Sequence, residues 1–141
     1  MHLDEEPVIL SSAIMARRAP ASAPAPAPAE VLSRALLRAA AALGLNGQTM
    51  ARVVGVSAAS WSRLAAGQRT VDPASKEGEL ALLFLRLFRS LDALVGGEAE
   101  KARAWLRAPN THLSAVPLEC IQSVVGLVRV DEYLDAVRGK T

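Results

Sequence analysis

Residues 47–66 read Gly-Gln-Thr-Met-Ala-Arg-Val-Val-Gly-Val-Ser-Ala-Ala-Ser-Trp-Ser-Arg-Leu-Ala-Ala, and this stretch decides the fold. Its apolar residues recur at helical spacing on either side of Gly55, which predicts two short helices joined by a tight turn. Small Ala51 lets the two helices approach, and Gly55 can take the positive φ that the turn needs. Met50, Val54, Val56, Trp61 and Leu64 then form an apolar seam, with Trp61 as a plug between the helices. Asn46 can cap the first of the pair, about Gly47 to Val54. Ser57 can cap the second, about Ala58 to Ala66, which Gly67 ends.

Working outward, residues 30–43 predict a preceding helix with Leu32, Leu36, Ala39 and Leu43 on one face and Gly44 at its end. Upstream of it, residues 19–29 alternate Ala or Ser with Pro. A chain that lacks an amide donor at every second position cannot hold a helix, so residues 1–29 are expected to form a flexible extension. Downstream, Thr70 to Ser75 is a turn with a possible cap, followed by a long helix to about Val95 that Gly96-Gly97 closes. Leu80, Phe84, Leu87, Leu91 and Leu94 form one stripe on it, and Leu82, Leu83, Leu85 and Phe88 widen that stripe beyond what one neighbour needs. This helix is expected to lie between the two halves of the chain or between two chains.

After the double glycine, Glu98 to Ala108 predicts a helix with Ala99, Ala102, Trp105 and Leu106 inward, stopped by Pro109. Pro117 opens a short helix through about Ser123. Leu127, Val130, Leu134 and Val137 mark a last helix before Gly139, while Gly126 and Gly139 are read as turn positions. No segment alternates as a strand, so the fold class is all-α. The expected division is an extension over 1–29, a helix-turn-helix unit over 30–75 and a second helical unit over 76–141.

The formal charge of +2 is uninformative as a sum. Locally it is not: Arg34, Arg38, Arg52, Arg63 and Arg69 face only Glu30 and Asp72 between residues 30 and 75, whereas acids and bases cancel after Val95. Basic charge thus collects on the two-helix unit, as phosphate binding requires. In such a unit the second helix of the pair enters the major groove of DNA. Its start supplies Ser57, Ala58, Ala59, Ser60, Ser62 and Arg63. Arg63 alone is a bidentate reader of guanine, and Ala58 or Ala59 can touch a thymine methyl. Gln48 and Thr49 are placed to hold phosphate, and Arg69 is either a phosphate contact or a solvated loop charge. So few readers imply weak discrimination by one copy, hence a homodimer on a palindromic operator.

Catalytic and metal chemistry find no support. Cys120 is the one cysteine, His2 and His112 do not complete a metal site with it, and no cofactor motif occurs. Cys120 lies on an apolar stretch and reads as a small buried hydrophobe. The longest apolar run, Leu80 to Leu85, is too short to span a bilayer, and acidic Asp4-Glu5-Glu6 stand where a secretory signal would be basic. A cytoplasmic protein without a membrane partner is expected.

Residues 30–75 resemble the Xre or Cro/C1-type helix-turn-helix class. Over residues 79–139, Trp105-Leu106-Arg107-Ala108-Pro109-Asn110, Leu113, Pro117-Leu118-Glu119, Gly126, Val130, Leu134 and Gly139 resemble the toxin-binding domain of Xre/MbcA/ParS-type antitoxins. The resemblance implies an antitoxin that covers the NAD pocket of a RES-domain toxin and represses the shared operon, within a higher-order complex with that toxin. On that reading Arg138, Lys140 and the carboxylate of Thr141 are candidates to enter or rim the toxin's pocket, with Arg129, Asp131 and Tyr133 beside them. A stand-alone repressor with a C-terminal dimerisation or effector domain is the alternative.

Overall fold

The computed structural model describes residues 24–139, and these form helices joined by short turns. In chain order they are α1 (Pro28–Ala42), α2 (Gly47–Val54), α3 (Ala58–Ala65), α4 (Lys76–Leu94), α5 (Ala99–Arg107), α6 (Pro117–Cys120) and α7 (Val124–Gly139). Among the described residues no strand forms; the only ladder-like contact is an isolated bridge between Asn110 and Ala115. The expected all-α class is what the chain adopts.

Helix α1 begins two residues earlier than its apolar pattern suggested. Pro28 occupies the first turn, where its missing amide donor has no helical acceptor to lose and its fixed φ suits the helix. Proline therefore starts this helix; of the extension expected over 1–29, residues 1–23 lie outside the described residues. The far end closes at Gly44 (φ 66), where the Leu45 amide reaches back to the Ala40 carbonyl at 2.9 Å.

The centre of the molecule is α4. Phe84, Leu87 and Leu91 are fully buried there, and each such side chain contributes about 1.5–3 kcal/mol. That outweighs the surface ion pairs Arg34–Glu30 (3.9 Å) and Lys101–Glu98 (2.8 Å), whose exposed partners contribute about 0–1 kcal/mol. Helix α4 packs on α1 and α2 on one side and on α7 on the other, so the sandwiched position expected of it is observed. A single apolar cluster runs from Leu32 and Leu36 through Phe84 and Leu91 to Leu127 and Leu134. Two expectations are corrected at its rim: Leu94 is 40% exposed, and Ala99 is exposed because it opens α5 on the solvent side.

Helices α4 and α7 start with the same device. Ser75 Oγ accepts from the Gly78 amide (3.0 Å) and donates to the Asp72 carbonyl (2.6 Å). Ser123 Oγ accepts from the Gly126 amide (3.1 Å) and donates to the Cys120 carbonyl (3.3 Å). In each case the preceding turn folds back over the helix's third residue. A Cβ at Gly78 would lie 2.1 Å from the Asp72 carbonyl oxygen, and one at Gly126 would lie 1.9 Å from that of Cys120. Gly126 is therefore a point of close approach inside a helix, which corrects its reading as a turn.

Two arginines of α5 tie the C-terminal half to the N-terminal half. Arg103 Nε donates to the Ala42 carbonyl (2.8 Å), and Arg107 Nη2 donates to the Leu43 and Gly44 carbonyls (3.2 and 3.0 Å). Both cations thus satisfy carbonyls left open at the C-terminus of α1, where the helix dipole favours positive charge. Ser33 makes a second tie, donating to the Ala29 carbonyl (2.7 Å) while accepting from the Val71 amide (2.9 Å).

Candidate functional site

The helix pair around Gly55 forms as its sequence requires. Asn46 Oδ1 accepts from the Thr49 amide at 2.9 Å, and Ser57 Oγ accepts from the Ser60 amide at 3.0 Å, so both caps are made. Gly55 sits at φ 73, ψ 37, the left-handed conformation that lets α2 end and the chain turn toward α3. Met50 and Val54 are fully buried, Leu64 is buried, and Trp61 is buried on Gly47. A Cβ at Gly47 would lie 2.9 Å from Trp61 Cδ1, so this glycine makes room for the indole. The sequence reading assigned Trp61 to the seam but missed Gly47 as its seat; a glycine at the start of a short helix carries no signal until the facing aromatic is placed.

This seam turns the outer side of α3 to solvent. Ser57, Ala58, Ala59, Ser62 and Arg63 are exposed, and Ser60 is half-buried. Ser57 Oγ donates to Ser60 Oγ (3.0 Å), and Arg63 Nη2 donates to the same Ser60 Oγ (3.2 Å). The guanidinium is thereby laid back toward the start of α3, the end that faces base edges when such a helix occupies a major groove. Gln48 is exposed at the first turn of α2, and Thr49 beside it is half-buried.

The remaining basic residues divide. Arg34 and Arg38 are exposed on α1. Arg52 reaches across to Gln122 Oε1 in the C-terminal half (3.2 Å). Arg69 is drawn toward the fold rather than left as a solvated loop charge: its Nη2 is ion-paired with Glu77 at 2.6 Å and its Nη1 is buried. The turn that folds back over Gly78 brings the residue-69 loop against α4, which explains the pairing.

Helix α7 separates the C-terminal candidates onto two faces. Arg129 and Tyr133, four residues apart, face the loop after α5. Arg129 Nη2 donates to the Leu113 carbonyl (3.1 Å), and the Tyr133 ring stacks on Trp105 (centroids 6.2 Å apart) and leans on His112 (5.5 Å). That loop is held by Asn110, whose Oδ1 accepts from the Leu113 amide at 3.0 Å.

The other face meets α4. Arg86 is ion-paired with Asp135, and Arg138 Nη1 donates to Ser90 Oγ at 3.1 Å. Asp135, Arg138 and Gly139, with Ala93 and Leu94, line an open cleft of about 490 Å³ at the end of this helix pair. Asp131 lies deeper. It is 3% exposed, so a surface contact is corrected here to an interior position, and neither carboxylate oxygen has a hydrogen-bond partner. Burial raises its pKa from 3.8 to about 7; Arg86 opposes the shift and Asp135 adds to it. Lys140 and Thr141 lie outside the described residues.

Cys120 is half-buried at the rim of the apolar cluster rather than fully enclosed. Among the described residues no group of three or more His, Cys, Asp or Glu could hold a metal ion, and no helix is long and apolar enough to cross a membrane.

Comparison with known families matches the two halves separately. Residues 22–86 match the antitoxin Xre-like helix-turn-helix domain, and residues 90–140 match the antitoxin Xre/MbcA/ParS C-terminal toxin-binding domain. The junction falls inside α4, the helix that both halves pack against. No curated protein matches the chain.

Proposed function

We propose that this chain, which belongs to the Xre-type antitoxins of toxin–antitoxin systems, neutralises a RES-domain toxin that uses NAD by covering its active site, and represses its own operon as a dimer on palindromic DNA. One observation carries the reading: a helix-turn-helix with an open α3 and a toxin-binding domain occur in this order in one chain. Both jobs are binding jobs, and no nucleophile or proton donor is required for either. On the toxin side, Arg138 at the cleft end of α7 and Lys140 and Thr141, which follow it in the sequence, are the first candidates, and Arg129 and Tyr133 on the loop-facing side of α7 the second. Asp131 is too deeply buried to touch a partner directly and acts, on this reading, through the α4–α7 contact.

When a RES-domain protein encoded beside this chain is expressed and arrests growth, co-expression of the chain is expected to restore growth and cellular NAD. Truncation after Val137, which removes Arg138, Lys140 and Thr141 together, is expected to abolish that protection while leaving operator binding intact. Protection by the truncated chain would move the inhibitory surface to Arg129 and Tyr133, and failure of the full chain to bind any RES-domain partner would overturn the toxin assignment.

On the DNA side, Arg63 is the reader and Gln48 and Thr49 position the backbone. Arg63→Ala is expected to weaken operator binding by about 1–3 kcal/mol and to relax sequence preference at the contacted base, as followed by mobility shift on mutated operators. An unchanged operator preference would remove Arg63 from the groove.

A further inference from the structure

Helix α4 keeps one side uncovered although it runs through the middle of the fold. Glu79, Leu82, Leu83 and Arg86 recur at the spacing that places them on one helix face. Leu82 is 49% exposed, and the side chains of Glu79 and Arg86 are 64% and 61% exposed. This strip has shoulders. Beyond Leu82, a groove of about 380 Å³ leads to Pro28 and Val31, the latter 53% exposed. Beside Leu83, a hollow of about 460 Å³ leads to Val124, 57% exposed, with Val125, 72% exposed, next to it. Three of the five exposed large hydrophobic residues of the described chain, Val31, Leu82 and Val124, thus lie on or beside one face.

The charges on that face are arranged about its apolar centre. An acid stands three residues before Leu82, and a base stands three residues after Leu83. Such a strip is complementary to itself. Consider a two-fold axis that lies in the interface, at right angles to α4, and passes between the two leucines. It sets Leu82 against Leu83 of a second copy and Glu79 against Arg86 of that copy, and the same pairs form again on the other side of the axis. A parallel arrangement would put Glu79 on Glu79 and Arg86 on Arg86. Arg86 already holds Asp135, but a guanidinium has five N–H donors and can serve a second carboxylate.

We propose that the α4 face centred on Leu82 and Leu83 is the interface with a second copy of this chain, crossed antiparallel so that Glu79 of each copy pairs with Arg86 of the other. The proposal rests on the functional reading above in that operator recognition calls for two copies. It adds which surface joins them, and it links dimerisation to the helix that both halves of the chain share. Dimerisation would then order the helix-turn-helix and the toxin-binding half together.

The test is the mass of the full chain by light scattering, with circular dichroism to verify folding. The wild type should run at twice its 14.8 kDa chain mass. Leu82→Glu, at an already exposed helical position, should stay folded and weaken the dimer at least about thirtyfold, with Glu79→Arg as the second variant. Chains carrying Glu79→Arg and chains carrying Arg86→Glu should each dimerise poorly alone and pair with one another when mixed, since both junctions then join opposite charges. A Leu82→Glu chain that remains fully dimeric would overturn the interface and leave the antitoxin reading standing. Absence of pairing in the mixture would overturn the antiparallel register. A wild type that is monomeric, and whose Leu82→Glu variant fails to bind the toxin, would overturn the proposal by assigning the face to the toxin. A wild type that is monomeric both free and on its operator would overturn the proposal together with the dimeric part of the functional reading.

Discussion

Gly126→Ala is expected to destabilise the fold by about 3 kcal/mol or more, and Gly78→Ala by a similar amount. At both positions the obstacle is backbone. The added methyl would sit 1.9 Å from the Cys120 carbonyl oxygen in one case and 2.1 Å from that of Asp72 in the other, with the Pro73 backbone at 2.8 Å as well. A flexible side chain could swing aside, but these carbonyls are fixed by the Ser123 and Ser75 hydrogen bonds that start α7 and α4. Relief would require opening the turn and giving up the cap. The consequence reaches the whole chain because α4 and α7 form the most extensive helix pair and share one apolar cluster with α1 and α2. Both substitutions should therefore lower a single cooperative transition in chemical denaturation, and Gly126→Ala should abolish toxin binding at temperatures where the wild type is folded. Gly139→Ala is the control, since nothing lies within 4 Å of its added methyl and it sits at the exposed end of α7. It should leave the midpoint unchanged or slightly raised. Equal midpoints for Gly126→Ala and wild type would mean that the turn relaxes freely.

Those two glycines mark the boundary of what the sequence discloses. Local signals were legible: the caps at Asn46, Ser57 and Ser75, the left-handed Gly55 and the buried stripe Phe84, Leu87 and Leu91 each follow from residue type and spacing. The α3 surface was legible too, because the seam of Met50, Val54, Trp61 and Leu64 fixes which side faces out. What escaped were contacts between residues far apart in the chain. Arg69 read as either a phosphate contact or a solvated loop charge, with no sign of the Glu77 pairing, and Arg103 and Arg107 gave no sign that they would close the C-terminus of α1. Asp131 illustrates the same limit on α7. Its polarity argued for the surface, but Leu127, Val130 and Leu134 claim so broad a face that residue 131 is carried into the α4 contact with them.

That burial makes stability depend on pH, and Asp131→Asn should expose the dependence. In the folded chain the carboxyl titrates at about 7, whereas in the unfolded chain it returns to about 3.8. Between those values the native state binds the extra proton, so the unfolding free energy falls as pH rises from about 4 to about 7 and levels off above it. The full loss corresponds to about 2–4 kcal/mol, most of it the cost of keeping an ionised carboxylate away from water. Arg86 recovers part of this cost, and Asp135 adds to it. An asparagine of the same shape cannot ionise. Its variant should match the wild type below pH 4, gain on it steadily through pH 5 and 6, and exceed it by the full amount at pH 8, as read from thermal melts across that range. Stability curves that stay parallel from pH 4 to 8 would show that the charge reaches water or a partner. A carboxylate kept at this cost beside Arg86 and Asp135 biases the contact between α4 and α7. Because Arg138 is held on Ser90 across that same contact, the variant should also hold the cleft end of α7 more firmly above neutral pH. Slower hydrogen exchange in residues 131–139 would register that change, confined to the pH range in which wild-type Asp131 is ionised.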